Sequence, residues 1–500
     1  EVVTSQSFVS KDVMGPGGST LQVNPAYTVQ DGNGGKNYAV TTITATGTVT
    51  KAPLTVKAND DARFVGLADS ANFAGVQYDG WVGGDTSSVL GGTLLVKRSN
   101  VGTSAAGVYP GVLRPEGLTS NNYEIAYSSG QFTIVPADQL LIRTAPQEIT
   151  YGTAPTYVTT AQYLKSDNTT IITLTGTAIG NDYTFNDALG TTVRTVLKPH
   201  AEDTLASTSS SGHTVVGNYD IKDLNPTVTG GNFTGAPVYV GHLSVKTKAV
   251  TPNATGVSKV YDGTTAMSNV VVGLTGEVTG DKLSISGTGT FSQKDVGTGL
   301  DYNIANITLG GNDKANYHLS GTSNSLTGTG SITPKDVRLS SITANHKVYD
   351  GGVLASIASG VVDGTVGTET LSVTGVGLGR FSDKNAANGL TVTVDDVTAL
   401  TKTDGTGKWS NYKLTTTGEL TTTANITRKP VTLDSITAAD KVYDGSAVAS
   451  ITSGSVSGTL SGESLSVSGQ GSFSDKNVAN NKWVTVQDVG ALSLANGTGD

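Results

Sequence analysis

The chain has 500 residues, enough for about three to five ordinary domains, with 64 Gly, no Cys and a net charge of −9. The missing cysteine excludes a disulfide framework and any thiolate metal site, and the acidic balance argues against a nucleic-acid partner, which would need a basic stripe. The five His residues (His200, His213, His242, His318, His346) have no ligand spacing, and no apolar run approaches the ~20 residues of a membrane span.

Short alternating runs such as "TLLVKR" and "LSVTGVG", with abundant Thr, Val and Gly, predict an all-β chain. Taken in chain order, the landmarks repeat. Residues 1–51 hold the second half of one unit, with "FVSKD" at Phe8, then Asn37-Tyr38 and a closing strand "ATGTVTKAPL". Residues 52–137 carry Phe64-Val65-Gly66, then Asn122-Tyr123 and "GQFTIVPADQ". Residues 138–248 carry Tyr151-Gly152, an inserted "PHAEDTLASTSSSGH" and Asn218-Tyr219. Residues 249–335 introduce "KVYDG" with Tyr261-Asp262-Gly263, then Phe291 of "FSQKD" and Asn316-Tyr317. Residues 336–429 repeat this with Tyr349-Asp350-Gly351, Phe381 and Asn411-Tyr412. Residues 430–500 begin again with Tyr443-Asp444-Gly445 and Phe473 but stop short of an Asn-Tyr pair. The Tyr-to-Phe offsets are 30, 32 and 30. Phe64 stands where the others have Tyr, and the "YDG" at Tyr78 is out of phase.

Units of this size, with turn signals every ~8 to 12 residues, predict Ig-like antiparallel β-sandwich domains of about seven strands. Linkers such as "SITPKDVRL" leave few residues between strands and carry Pro or a basic residue, so the joints should be stiff. The expected architecture is a tandem array stacked end to end, an elongated rod on the order of 200 Å. The opening "EVVTSQSFVS" lacks the regions of a signal peptide, and the two incomplete units suggest a slice of a longer protein.

Each candidate for chemistry has a structural counterpart. In "YDG", Asp can bond its own backbone two residues on and Gly tolerates positive φ, so the motif reads as a repeated turn. Tyr38, Tyr123, Tyr219, Tyr317 and Tyr412 of the Asn-Tyr pairs read as buried anchors for the last hairpin, with the Asn bonding its own loop. The Asp/Asn/Gly-rich loops around Asp31, Asn33, Asp313 and Asp404 could hold Ca²⁺ or be plain hairpin loops; otherwise no cofactor is expected. Lys294, Lys384 and Lys476 follow a core Phe and could form isopeptide bonds in a dry core, but no carboxylate is expected to recur at fixed spacing beside them. Trp81, Trp409 and Trp483 are either core residues or sugar-stacking platforms. No nucleophile elbow, zinc-protease motif or P-loop is present, so no enzyme is expected.

The stretches "KVYDGTT…FSQKDVG" and "KVYDGS…FSDKNVAN" resemble the YDG repeats of bacterial haemagglutinin-like exoproteins, and the two middle units resemble the companion MBG repeats. The resemblance implies a large adhesin exported by two-partner secretion, of the biofilm-matrix type, located outside the cell or on its surface. It implies a stalk whose partners are exopolysaccharide or neighbouring cell surfaces, an outer-membrane secretion partner reached through other regions, and fibres that can bundle through edge strands. The other readings are repeated carbohydrate-binding modules, which exposed aromatics at equivalent positions would favour, and an enzyme whose catalytic domain lies elsewhere.

Overall fold

The structure, a computed structural model, describes residues 2–3, 6–23, 28–29, 37–267, 272–321 and 325–497. Among these, regular structure is β-strand apart from 3-10 turns of three residues. No helix among the described residues is long and apolar enough to cross a membrane. Two compact units form, one of Glu1–Lys259, Thr265–Gln293 and Thr298–Ser331, the other of Val260–Thr264, Lys294–Gly297 and Ile332–Asp500.

In the first unit, strands Ala52–Ala58 and Asp61–Phe64 are one run of sequence broken at Asn59-Asp60. The first half lies in a three-stranded sheet and the second in a four-stranded sheet. Val96, Leu113, Phe132 and Ile134 of one sheet close on Ala58 of the other, which makes a sandwich. The next stretch repeats the break between Leu140–Thr144 and Gln147–Thr150 and builds the largest core, around Ile142, Tyr151, Phe185, Leu197 and Leu243. Further along, Lys248–Asn253 pairs with Tyr317–Leu319.

In the second unit, Lys335–Ala344 and Lys347–Val348 form the broken strand, and a core gathers Leu339, Ile342, Val373, Phe381, Val392 and Ile426. The spacing of Val337, Leu339 and Ile342 shows how sequence sets the local backbone. Strict alternation would point Ser341 inward; a register shift between Leu339 and Ser341 turns Ile342 to the core instead. The same shift recurs between Leu433 and Ser435 in the following stretch, so the bulge is copied with the repeat.

The sandwiches are mixed, which corrects the expectation of purely antiparallel sheets. Each first half-strand runs parallel to a late strand (Tyr123–Ser128, Val238–Val240 or Tyr412–Leu414). Each second half-strand runs parallel to the closing strand (Gly130–Val135, His242–Lys246 or Leu420–Thr427). Period-two alternation reports which face a residue takes and is silent about the direction of the neighbour.

Candidate functional site: the joints between repeats

The backbone defines which residues are equivalent. In four repeats one residue just past the second half-strand donates its N–H to the closing strand: Val65 to Val135 O (2.9 Å), and Tyr151, Tyr261 and Tyr349 to Lys246, Thr333 and Thr427 O (2.8 Å each). A left-handed glycine follows, at Gly66, Gly152, Gly263 and Gly351, with φ of 79°, 85°, 78° and 76°. Val65, not Phe64, therefore holds the place of the tyrosine; the expected alignment was one residue early. In the YDG form, Oδ1 of Asp262, Asp350 and Asp444 accepts the N–H two residues on, at 2.9 Å in each case.

The tyrosine does more than end a strand. Tyr151 donates its hydroxyl to Asp281 (2.6 Å), Tyr261 to Glu369 (2.8 Å) and Tyr349 to Glu463 (2.5 Å). Each acid belongs to the repeat that follows. Each closes a turn of the form G-x-[VL]-x-x-[DE]: Gly276–Asp281, Gly364–Glu369 and Gly458–Glu463. The tyrosine of that repeat's Asn-Tyr pair reaches the same acid from the other side, Tyr317 to Asp281 and Tyr412 to Glu369 (2.6 Å). Val278 and Val366 donate backbone N–H to those same two phenols. The paired rings meet edge to face, Tyr151 on Tyr317 at 5.2 Å and Tyr261 on Tyr412 at 5.3 Å. The apolar residue of the turn covers the preceding glycine. A Cβ on Gly152, Gly263 or Gly351 would come within 2.6 to 3.1 Å of Val278, Val366 or Leu460.

Burial pushes the phenols of Tyr151, Tyr261, Tyr317 and Tyr412 above the ordinary tyrosine range, and the facing carboxylates push the same way. Burial would also raise Asp281, but hydrogen bonds from Ser211, Tyr151 and Tyr317 outweigh it and hold the carboxyl below its usual range. At Asp281 the bridge is thus a pair of neutral phenols donating to a charged acceptor.

The Asn of each Asn-Tyr pair was expected to bond its own loop; at positions 122, 316 and 411 it instead reaches the preceding repeat. Asn122 Oδ1 accepts from Val13 N (3.0 Å) and its Nδ2 donates to Asp12 (2.7 Å). Asn411 does the same with Val296 N (2.9 Å) and Asp295 (2.8 Å), and Asn316 accepts from Val216 N (2.9 Å). Lys-Asp-Val at 11–13 and at 294–296 is therefore one docking loop used twice, and Lys408 adds a 2.7 Å ion pair to Asp295. The inserted segment supplies its own version. Its hairpin tip donates Ser210 N to Asp313 (3.1 Å) and Ser211 N to Asp281 (3.2 Å).

One joint differs throughout. Between 52–137 and 138–248, Val65 has no hydroxyl, and the loop after Leu164 holds no G-x-[VL]-x-x-[DE] turn. Phe64, Leu141, Leu164 and Val240 bury together there with Val65 packed against them, flanked by an Arg143–Asp61 pair at 2.8 Å. The Asn-Tyr landmark also fails here. Tyr219 follows Gly217 at φ 158°, pairs with Leu243 of the closing strand and bonds Val215 O four residues back. That is the place of Tyr109, which follows Gly107, pairs with Phe132 and bonds Ala105 O. Tyr219 is thus a corner lock within its own repeat, not the counterpart of Tyr123.

Other expected residues lie apart. Tyr38 is 68% exposed and Tyr443 56%. Residues 1–38 contain no carboxylate turn for Tyr38 to pack on, and no such turn follows Tyr443's own repeat in these 500 residues. A carboxylate does recur at fixed spacing, against expectation: Asp281, Glu369 and Glu463 each stand 20 residues after the Tyr of their own repeat. The lysines are not in a dry core beside it, since Lys294 and Lys476 are exposed and Lys384 half-buried. Trp409 is half-buried with its indole N–H on Ser372 O and Thr403 O, Trp81 packs between Tyr78 and Tyr123, and Trp483 is 84% exposed. Asp31 and Asn33 lie outside the described residues. Both carboxylate oxygens of Asp313 take backbone N–H groups, and Asp404 accepts from Trp409 N (2.6 Å). Among the described residues no three His, Cys, Asp or Glu converge as a metal site.

Repeated sandwiches that spend their polar side chains on one another define a structural repeat protein. The YDG domain model matches residues 246–325, 333–419 and 427–499, and the MBG domain model of YGX type matches 54–133. The chain is a YDG- and MBG-repeat protein, and these are non-enzymatic, adhesin-like repeat families typical of surface or secreted proteins. No curated protein matches it.

Proposed function

We propose that the chain is a stalk segment of a large secreted bacterial adhesin, acting outside the cell in cell–cell or cell–matrix attachment within a biofilm. The observation that carries this reading is the recurrent joint. Tyr151, Tyr261 and Tyr349 each spend a buried or half-buried hydroxyl on the next repeat, and this recurrent geometry supports a connecting role. Export by two-partner secretion, with its outer-membrane partner, belongs to the same proposal and would involve regions beyond these residues. Residues 138–248 are proposed as a second, divergent MBG-type repeat, on the shared broken strand and the shared Gly-x-Tyr corner. The segment is proposed to need no metal and to perform no catalysis, with exopolysaccharide or neighbouring cell surfaces engaged elsewhere in the adhesin.

The test is retention of this chain on immobilised exopolysaccharide, with and without a calcium chelator. The stalk reading expects no retention in either buffer. Retention abolished by Trp483→Ala would overturn it in favour of a carbohydrate-binding array, since Trp483 is the one Trp whose ring stands free. Retention lost only in chelator would restore the calcium reading of the Asp-rich loops.

A further inference from the structure

We propose that the carboxylate turn is a docking receptor specific for a tyrosine tip, so that the joints come in two exclusive kinds and the order of repeats is written into them. The evidence is joint loss. Where the tip carries Val65 instead of Tyr, the following repeat lacks the G-x-[VL]-x-x-[DE] turn and has no Asn-Tyr before its parallel strand, where "TGAPVYV" stands. Three features on two different repeats change together, and an apolar cluster of Phe64, Leu141, Leu164 and Val240, with Val65 packed against it, takes their place.

The chemistry explains why the kinds do not mix. A tyrosine tip brought against Leu164 would bury its hydroxyl without an acceptor. A valine tip brought against Glu369 would cover a carboxylate and leave it one donor short, with only Tyr412 remaining. The first mismatch leaves a hydroxyl buried and unpaired and the second leaves one oxygen of a half-buried carboxylate without its donor, and an unpaired buried group costs more than the matched bond contributes. The tip backbone is common to both kinds, because each presents a left-handed glycine, but the apolar residue of the turn covers Gly152, Gly263 and Gly351 while nothing lies within 4 Å of a Cβ at Gly66. Selectivity then rests on the hydroxyl–carboxylate pair, with the turn residue over the glycine beside it, the way paired polar groups discriminate at other interfaces. The receptor's partner is thus defined chemically as a Tyr-Gly or Tyr-Asp-Gly turn, in this chain or in another repeat of the same kind.

The experiment is a double-mutant cycle in the full 500-residue chain with Tyr261→Phe and Glu369→Gln, read by hydrogen exchange of the peptide spanning Gly364 to Glu369. Both substitutions keep side-chain volume, and far-UV circular dichroism checks folding. Tyr261→Phe is expected to speed exchange there roughly tenfold, and Glu369→Gln is expected to add little in the Phe background. The reciprocal Val65→Tyr is expected to loosen the Leu164 joint, read at residues 138–144. Unchanged exchange in Tyr261→Phe, or fully additive effects, would overturn the proposal and leave the joint to packing alone. If Tyr261→Phe does not fold, the same cycle at Tyr151 and Asp281 decides, with Tyr151→Phe and Asp281→Asn.

Discussion

Gly351 shows how much one residue can be asked to do. Its φ of 76° lies in the left-handed region, and a Cβ there would stand 3.0 Å from Leu460 of the next repeat. Gly351→Ala is therefore expected to lower stability by about 1 to 2 kcal/mol from backbone strain, with the contact adding to it. A thermal melt of the variant against Gly389→Ala, where φ is 67° but nothing lies within 4 Å, separates the two causes. A larger loss at Gly351 than at Gly389 is the expected result; equal losses would mean the neighbouring repeat does not press on the turn. At this scale the sequence was legible in part. Asp350 and Gly351 announce a turn by residue type. The partner of Tyr349 does not announce itself, because it lies 114 residues on and is Glu in two repeats and Asp in another. The signal was present as the 20-residue spacing from each Tyr to its own repeat's acid, readable only by comparing repeats rather than by scanning near the lysines.

At the scale of elements, the inserted segment of 138–248 looks in sequence like a Ser-rich surface loop. In the structure it is a short hairpin, closed by a Thr208–Thr214 bridge, whose tip caps Asp281 and Asp313. It stands where Lys-Asp-Val loops stand at other joints, which is why that repeat can lack one. Deleting residues 207–214 is expected to leave the sandwich core intact and to expose the Gly276–Asp281 turn, since Asp281 would lose the Ser211 N–H and Tyr151 its Ser209 contact. Limited proteolysis checks this, with new cleavage expected near residues 276–282; an unchanged pattern would make the hairpin an ornament. Strand positions were legible because "LSVTGVGLGRF" alternates and buries Leu371, Val373 and Phe381. Parallel pairing was not legible, because alternation fixes a face and leaves direction open. The role of Asn411 was missed for a similar reason: a buried Asn satisfied by Asp295 and one satisfied by its own loop look alike in sequence.

For the whole molecule, the two kinds of joint predict different responses to pH. Asp281 and Asp295 have carboxyls held below their usual range, so they stabilise the folded chain above about pH 4, and that contribution disappears as pH falls through their lowered values. Tyr151, Tyr261, Tyr317 and Tyr412 have raised phenols, so their contribution is complete below about pH 10 and is lost as pH rises through those raised values. The apolar joint at Val65, Leu141, Leu164 and Val240 contains no titrating group in its core, though the Arg143–Asp61 pair flanks it. Repeat arrays unfold together only as far as their interfaces couple them. Calorimetry at pH 7 should therefore show broad cooperativity, and as pH is stepped down below about 4 the repeats bound through Asp281 and Asp295 should progressively separate into additional transitions. Leu164→Ala should do the converse. It removes about 2 to 5 kcal/mol of packing at a fully buried position and should split the profile already at pH 7. If acid leaves the number of transitions unchanged while Leu164→Ala raises it, apolar contact alone couples the repeats, and the tyrosine–carboxylate bridges choose neighbours without holding them.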